Sequence, residues 1–242
     1  MCEIKTERLI KRYKKLTAVD GLDLQIMRGE LFCLLGTNGA GKTTTIKMLT
    51  CLTRSSEGDG LVGGYSINEQ SEQIKRIIGV SPQQTSVAPN LSVKENLELI
   101  CGVHGFSRER TEAKIKELTR LFSLDEVIRK RAGKLSGGWQ RRVSIAMALI
   151  SEPRVLFLDE PTLGLDVMAR QELWELIRYL KGKITVVMTT HYMMEAEALS
   201  DRVGIMRDGR LLCVGTVQEL KERANVSDLE SAFVKIVREG NV

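Results

Sequence analysis

The chain has 242 residues and a net charge of +5. Hydrophobic residues make up 43% and charged residues 28%, which excludes an intrinsically disordered protein, because disordered chains are poorer in apolar side chains. The length suffices for a substantial core in one large domain or two small ones. The mild positive charge suits an anionic ligand or a nearby anionic membrane, and gives only weak support to a nucleic-acid partner.

The five cysteines exclude a disulfide framework and a zinc site. They are odd in number, widely scattered and without a Cys-x-x-Cys pair, so we expect reduced thiols that mostly pack in the interior. Residues 1–15 lack the apolar core of a signal peptide, and no window approaches about 18 uninterrupted apolar residues. We therefore expect that the chain does not cross a membrane by itself.

The first clear pair of strands lies at residues 22–35. Apolar residues alternate along its first part and become continuous after Arg28 and Gly29. This pattern predicts a partly exposed strand that turns into a buried strand ending at Gly36.

A glycine-rich loop, GTNGAGKT, follows the buried strand and leads into a segment with helical apolar spacing. Glycines let backbone N–H groups converge on phosphate oxygens, and the helix dipole adds attraction for anions. We expect Lys42 at the β and γ phosphates, the Thr43 hydroxyl on Mg²⁺ and Thr44 near the α and β phosphates. The predicted ATP-binding residues of this loop are Gly36, Thr37, Asn38, Gly39, Ala40, Gly41, Lys42, Thr43 and Thr44.

Further short apolar strands are predicted at residues 77–80, 155–158, 184–189 and 203–206. Buried strands separated by helices indicate a mainly parallel sheet covered on both faces. Strand signals vanish between residues 84 and 150, where helix starts accumulate, with capping boxes predicted at Ser92-x-x-Glu95 and Ser123-x-x-Glu126. The sequence thus predicts a helical subdomain at about residues 85–150, inserted in an α/β core.

A last capping box, Ser227-x-x-Glu230, predicts a terminal amphipathic helix at about residues 227–238. No internal repeat or Pro-rich linker interrupts the chain.

Two carboxylates, Asp159 and Glu160, end the apolar strand VLFL. The tip of a parallel strand is where a ligand crevice opens. Because adjacent strand residues point to opposite sides, we assign Asp159 to Mg²⁺ through water and Glu160 to orienting and deprotonating the attacking water.

A second glycine-lined helix start lies at Ser136, Gly137 and Gly138, just before helical apolar spacing. A helix N-terminus of this kind is a second anion-binding site, although the phosphates of one nucleotide need only one such site.

With the glycine loop, LSGGWQRR and VLFLDE in this order, the chain resembles the ATP-binding cassette (ABC) family from about Tyr13 to Gly215. The resemblance implies an α/β P-loop NTPase: a mainly parallel sheet core, an N-terminal antiparallel β subdomain and the inserted helical subdomain, in one domain over residues 1–242. It also implies that two copies pair head to tail, so that each signature segment covers the γ phosphate held by the other copy's Lys42. The fifth signature position is Trp139, where the family commonly has glutamine.

The resemblance implies roles for four more residues. Gln83 is placed at Mg²⁺ and the attacking water, with Gln84 as a competing candidate. His191 is placed at the γ phosphate and that water, Asp166 in the loop that crosses the dimer interface, and Tyr13 on the adenine ring. The chain's other histidine, His104, has no such setting and is assigned to no site.

The implied activity is Mg²⁺-dependent ATP hydrolysis that drives a transporter, with cofactors ATP and Mg²⁺. The partners are then a separate transmembrane permease subunit and a second cassette copy, at the cytoplasmic face of the membrane, with no nucleic acid. The stretches 160–177 and 190–216 resemble the branch that exports antibiotics, peptides or lipids. Two alternatives stay open: an ABC ATPase that acts on nucleic acid or ribosomes, and one that works in an assembly or regulatory complex.

Overall fold

The computed structural model describes residues 1–239 and contains two β-sheets. Six strands form a central sheet in the order β10-β9-β3-β8-β7-β6, in which all neighbours are parallel except β10 and β9. Four form an antiparallel sheet in the order β2-β1-β4-β5. The strands are β1 Cys2–Tyr13, β2 Leu16–Met27, β3 Leu31–Gly36, β4 Glu57–Val62, β5 Tyr65–Ser66, β6 Ile78–Ser81, β7 Val155–Asp159, β8 Thr185–Thr190, β9 Arg202–Arg207 and β10 Arg210–Gly215.

The helices are α1 Lys42–Leu49, α2 Ser71–Ile77, α3 Val93–Val103, α4 Arg108–Leu121, α5 Gly137–Ala148, α6 Val167–Leu180, α7 Met193–Leu199, α8 Val217–Ala224 and α9 Leu229–Glu239. The predicted mixed α/β class, with an antiparallel N-terminal sheet and helices inserted between strands of a parallel-rich sheet, is confirmed. Each strand predicted between residues 77 and 206 is present, and its ends lie within one residue of the prediction. The last three residues of the predicted domain, 240–242, lie outside the described residues.

Alternate residues of the central strands enter two separate cores. On β3, Leu31 and Cys33 pack with the core that contains α5 and α6, whereas Phe32 and Leu34 pack with α1 and the antiparallel sheet. Successive strand side chains point to opposite faces, so a sheet covered on both faces needs apolar residues at every position. This explains why the buried strands are continuous apolar runs.

The carboxyl ends of β3, β6, β7 and β8 lie at one edge of the central sheet, because these strands run in parallel. The segments that leave this edge carry the predicted site residues: the glycine loop after β3, Gln83 after β6, Glu160 after β7 and His191 after β8. A ligand crevice opens at this edge in sheets of this kind.

Two of the three predicted capping boxes need correction. The Ser92–Glu95 capping box at α3 is confirmed. Ser123 does not begin a helix: its φ is +52°, and it ends α4, with the Leu124 N–H donating to the Thr119 carbonyl at 2.9 Å. This left-handed C-terminal turn is a Schellman motif, whereas an N-cap needs extended backbone.

The terminal helix is present, but its cap lies one residue later than predicted. The carboxylate of Asp228, rather than the Ser227 hydroxyl, accepts the Ser231 N–H at 2.8 Å, and α9 begins at Leu229. Aspartate is as good an N-cap as serine, so the pattern alone could not choose between the two neighbours.

The expectation for the cysteines holds, since all five thiols are free and Cys33, Cys101 and Cys213 are buried. Among residues 1–239, no helix is both long and apolar enough to span a bilayer.

Candidate functional site

A cavity of about 510 Å³ lies at the carboxyl edge of the central sheet. Five segments that are distant in sequence meet around it: the end of β1, the glycine loop, the segment after β6, the end of β7 and the end of β8. Its lining contains most of the predicted ATP-binding and catalytic residues, together with two leucines that were not predicted. The lining residues are Tyr13, Leu16, Asn38, Gly39, Ala40, Gly41, Lys42, Thr43, Thr44, Gln83, Glu160, Leu163 and His191.

The glycine loop has the backbone that its sequence requires. Gly39 and Gly41 have φ values of +83° and +101°. A Cβ on Gly41 would lie 2.5 Å from the Ala18 carbonyl oxygen, and one on Gly36 would lie 2.5 Å from that of Met206. A side chain is therefore disfavoured by backbone angle at Gly39, by space at Gly36 and by both at Gly41. Gly36 and Thr37 do not line the cavity, and their carbonyls accept hydrogen bonds from Lys42 Nζ at 2.7 and 3.2 Å.

Thr43 and Asp159, two of the predicted magnesium residues, are hydrogen-bonded to each other. The Thr43 hydroxyl donates to Asp159 Oδ1 at 3.0 Å, and the Thr189 hydroxyl donates to the same oxygen at 2.6 Å. Asp159 is buried below the cavity rather than in its lining. A hydroxyl and a carboxylate are hard oxygen donors of the kind that Mg²⁺ takes while it keeps several waters, so these residues fit that ion.

Glu160 is held at the centre of the site by two partners. Its Oε1 lies 3.2 Å from Lys42 Nζ, and its Oε2 lies 2.8 Å from His191 Nδ1. Lys42 also donates to the Gly36 carbonyl at 2.7 Å. The carboxylate is thus fixed between a cation and an imidazole, a geometry suited to orienting a nucleophile.

The divergence of Asp159 and Glu160 has a different cause from the one predicted. β7 ends at Asp159, and Glu160 has a φ of +49°, a left-handed backbone that few non-glycine residues adopt. Its N–H donates to the Thr189 hydroxyl at 3.0 Å. A sharp backbone turn, rather than strand alternation, therefore separates the two carboxylates, and strained backbone of this kind is concentrated at functional sites.

Gln83, not Gln84, lines the cavity. The backbone around Gln83 is held by the buried Arg141 of α5, whose guanidinium donates to the Pro82 and Gln83 carbonyls at 2.6 Å each. Burial lowers the pKa of Arg141, opposed by the charges of Asp159 and Glu195. The helix α5, which begins at the signature residues, is thus hydrogen-bonded to the segment Pro82–Gln83.

Tyr13 ends β1 at the edge of the cavity, and the residue is 43% exposed. Lys11 Nζ lies 4.9 Å from the ring centroid. A half-exposed ring of this kind can stack on a flat heterocycle.

The predicted signature and interface residues lie away from this cavity. Ser136 and Gly137 are exposed at the start of α5. A Cβ on Gly138 would lie 3.0 Å from Ala169 Cβ, so the glycine permits close packing of α5 on α6. The Asp166 carboxylate caps α6 by accepting the Met168 and Ala169 N–H groups at 3.0 Å.

Trp139 extends the contact between the same two helices. Its ring packs partly buried against the larger core, and the Arg142 guanidinium lies 4.8 Å from its centroid. Arg142 in turn pairs with Glu172 on α6. The unusual signature residue therefore belongs to a packing contact and not to the exposed tip of the helix.

Sequence reasoning missed three supporting residues: Thr189, Arg141 and Glu195. Glu195 is fully buried on α7 and accepts the Trp174 indole N–H at 3.2 Å. Burial raises the pKa of its carboxyl, and the nearby Glu160 charge acts in the same direction. Only the parallel pairing of β7 with β8 puts Thr189 beside Asp159, and no local sequence pattern carries that information.

Comparison with known proteins agrees with this architecture. A family model described as ABC transporter matches residues 19–163. The chain is 42% identical over 229 residues to ABC transporter A family member 2 of Arabidopsis thaliana, covering 91% of this chain and 23% of that protein. It is 41% identical over 211 residues to the doxorubicin resistance ATP-binding protein DrrA of Mycobacterium tuberculosis, covering 87% of this chain and 64% of that protein. The chain spans less than two thirds of either relative.

Solved structures superpose over nearly the whole chain. The ATP-binding subunit of an ABC transporter superposes with a TM-score of 0.86 at 27% identity, covering 97% of this chain and 99% of that one. A dimeric ATP-binding cassette in a post-hydrolysis state, bound to ADP and Pi, gives a TM-score of 0.79 at 26% identity, with 88% and 98% covered. Sequence and fold agree, and the chain belongs to the ABC transporter family.

Proposed function

We propose that the chain binds Mg²⁺ and ATP in the 510 Å³ cavity and hydrolyses the γ phosphate by in-line attack of water. One observation carries this proposal: Glu160 bridges Lys42 and His191, at 3.2 and 2.8 Å, in a cavity walled by the glycine loop. Phosphoryl transfer depends mainly on positioning and on electrostatic stabilisation, and this arrangement offers both.

Each wall of the cavity has a proposed part in binding. Amides of the loop from Asn38 to Gly41 and of the start of α1 face the phosphates, and Lys42, held by the Gly36 and Thr37 carbonyls, neutralises the β and γ phosphates. Thr44 lies one step further along the helix, near the α and β phosphates. The Tyr13 ring stacks on adenine. Glu160 accepts a proton from the attacking water, and His191 holds that water and the γ phosphate in line.

Thr43, Asp159 and Gln83 are the proposed magnesium ligands, with Asp159 acting through water. The ion, when bound, neutralises charge on the β and γ phosphates and on the leaving group. The Thr43 hydroxyl can bind the ion directly, and the Asp159 carboxylate, 3.0 Å from that hydroxyl, can hold the water ligands of an oxygen-only coordination sphere.

We further propose that two copies of the chain pair head to tail, with Ser136, Gly137 and Gly138 of one copy covering the γ phosphate of the other. The exposed start of α5 supports this, and a dimer is the form of the ADP-bound and Pi-bound structure that superposes on the chain. The segment around Asp166 then lies at the interface. Closure of the pair completes the site, so binding and hydrolysis alternate with dimer closing and opening.

The proposed partner beyond the second copy is a separate transmembrane subunit at the cytoplasmic face of a membrane. Export is the favoured direction, since one relative is named for doxorubicin resistance. We propose residues 1–242 as one cassette domain with its helical subdomain at about 85–150. One relative is named as an ABC transporter and the other for drug resistance, which favours a transporter subunit over the nucleic-acid alternative.

Glu160→Gln tests the reaction. Glutamine keeps the size and the hydrogen-bonding shape of the side chain but is a far weaker base than carboxylate. We expect the full chain, with ATP and Mg²⁺, to hydrolyse ATP, and the variant to turn over about 100-fold or more slower, the scale of a lost general base. ATP affinity, measured by titration calorimetry, should change little. A variant that hydrolyses ATP at the wild-type rate would contradict the role of Glu160 and the proposed reaction.

A further inference from the structure

A stack of side chains connects α6 to the catalytic pair. The Tyr192 and His191 rings have centroids 4.1 Å apart and are tilted by 40°. The Arg170 guanidinium carbon lies 5.1 Å from the Tyr192 ring centroid. His191 Nδ1 then lies 2.8 Å from Glu160 Oε2. Arg170, Tyr192, His191 and Glu160 form one continuous run of contacts.

Arg170 ties the outer end of this run to the segment before α6. Its Nη2 donates to the Leu165 carbonyl at 3.4 Å, one residue before Asp166. Its Nε is buried and has no hydrogen-bond partner among residues 1–239. The guanidinium is therefore placed mainly by the Tyr192 ring face and the Leu165 carbonyl, and its position depends on both.

The tyrosine contributes its ring rather than its hydroxyl. No hydrogen bond joins the Tyr192 hydroxyl to any other residue within 1–239. The backbone of Tyr192, by contrast, is fixed: its N–H donates to the Thr190 hydroxyl at 3.0 Å, and its carbonyl accepts the Glu195 N–H at 3.1 Å at the start of α7. The side chain of Tyr192 therefore acts through its ring, which contacts His191 and Arg170.

We propose that Tyr192 and Arg170 are positioning residues that hold the His191 imidazole against Glu160 and link its orientation to the segment Leu163–Asp166. The inference rests on the proposed ATP hydrolysis at this site. The ring torsion of a histidine is broad, so a stacking neighbour is needed to keep Nδ1 directed at one carboxylate oxygen. A shift of the Leu165 carbonyl moves the guanidinium, the ring and then the imidazole.

Three variants test this. Tyr192→Phe keeps the ring, Tyr192→Ala removes it, and Arg170→Met keeps an apolar side chain without the cation. Arg110→Met is the matched control, because the Arg110 guanidinium also lies over a ring, 3.8 Å from the Phe106 centroid, in a helix remote from His191. Steady-state kcat and KM for ATP are measured on the full chain with Mg²⁺, together with thermal unfolding.

We expect Tyr192→Ala to lower kcat by roughly tenfold while KM changes less than about twofold, because misplaced catalytic groups cost turnover rather than binding. Tyr192→Phe and Arg110→Met should stay within about twofold of wild type, and Arg170→Met should fall between. The Tyr192→Ala, Arg170→Met double variant should be no slower than Tyr192→Ala alone, because both changes break the same run. If Tyr192→Ala unfolds, Arg170→Met and Tyr192→Phe decide the question.

Two outcomes would contradict this inference but leave the proposed ATP hydrolysis intact. In one, Tyr192→Ala and Arg170→Met retain the wild-type kcat while Glu160→Gln is inactive in the same assay. In the other, Tyr192→Phe is as slow as Tyr192→Ala, which would move the role to the hydroxyl. A wild-type chain no faster than Glu160→Gln would instead remove the proposed hydrolysis, and this inference with it.

Discussion

The chain has two glycine-rich helix starts, and they differ in how far the chain itself completes them. At α1, Lys42 is 6% exposed and contacts both the loop carbonyls and Glu160. At α5, Ser136 and Gly137 are exposed, and the Ser136 hydroxyl caps nothing within residues 1–239. Similar local sequence signals thus give one helix start that the chain's own residues complete and one that is exposed, and the proposed head-to-tail pairing would supply the surface that completes the second.

The largest effect is expected at the assembled start. Lys42→Ala should raise the dissociation constant for ATP by about 100-fold or more, because bonds from a charged donor are worth about 1.5–3 kcal/mol each and tenfold in affinity is about 1.4 kcal/mol. Titration calorimetry on dilute protein measures it. Lys47→Ala, one turn further along α1 and exposed, is the control and should bind like wild type. If the dissociation constant of Lys42→Ala stayed within threefold of wild type, the proposed role of the glycine loop and Lys42 in binding the ATP phosphates would be wrong.

A smaller and different effect is expected at the free start. Ser136→Ala should leave ATP affinity in dilute protein unchanged, since Ser136 does not line the chain's own cavity. At protein concentrations that allow pairing, turnover should fall by roughly tenfold to a hundredfold, the loss of one charge-assisted bond to the γ phosphate. Weak ATP binding by the dilute variant, or wild-type turnover at high protein concentration, would contradict the proposal that the start of α5 acts only on the nucleotide of a second copy.

Sequence reasoning located the segments of the site because their signals are local. A glycine loop between an apolar strand and a helix is visible in eight consecutive residues. The strand end at Gly36 is predicted where the structure has it, and the end of β7 at Asp159 lies one residue beyond the predicted strand. Continuous apolar runs also gave the buried parallel sheet. These features depend on backbone conformation and periodicity, which neighbouring residues encode.

The remainder depends on contacts between distant segments. The Thr189 hydroxyl reaches Asp159 only because β7 and β8 pair in register. Arg141 holds the Gln83 segment across 58 residues, and Arg170 of α6 lies over Tyr192, which is 22 residues away at the N-cap of α7. Ser123 shows the same limit locally, because Ser-x-x-Glu suits a helix start while the chain uses its serine to end α4.

The smallest effect comes from a third helix start, which separates capping from ligand binding. The Ser92 hydroxyl accepts the Glu95 N–H at 3.2 Å, and the Glu95 carboxylate accepts the Ser92 N–H at 2.7 Å. Ser92→Ala should therefore cost about 1 kcal/mol of folding free energy, or roughly 2–4 °C in a thermal melt, with ATP turnover unchanged. Ser136→Ala should give the opposite pair of results, full thermal stability and slower turnover, because its hydroxyl makes no cap. If both variants lost the same melting temperature, the Ser136 hydroxyl would stabilise α5 itself. The exposed start of α5 would then give no support to pairing with a second copy.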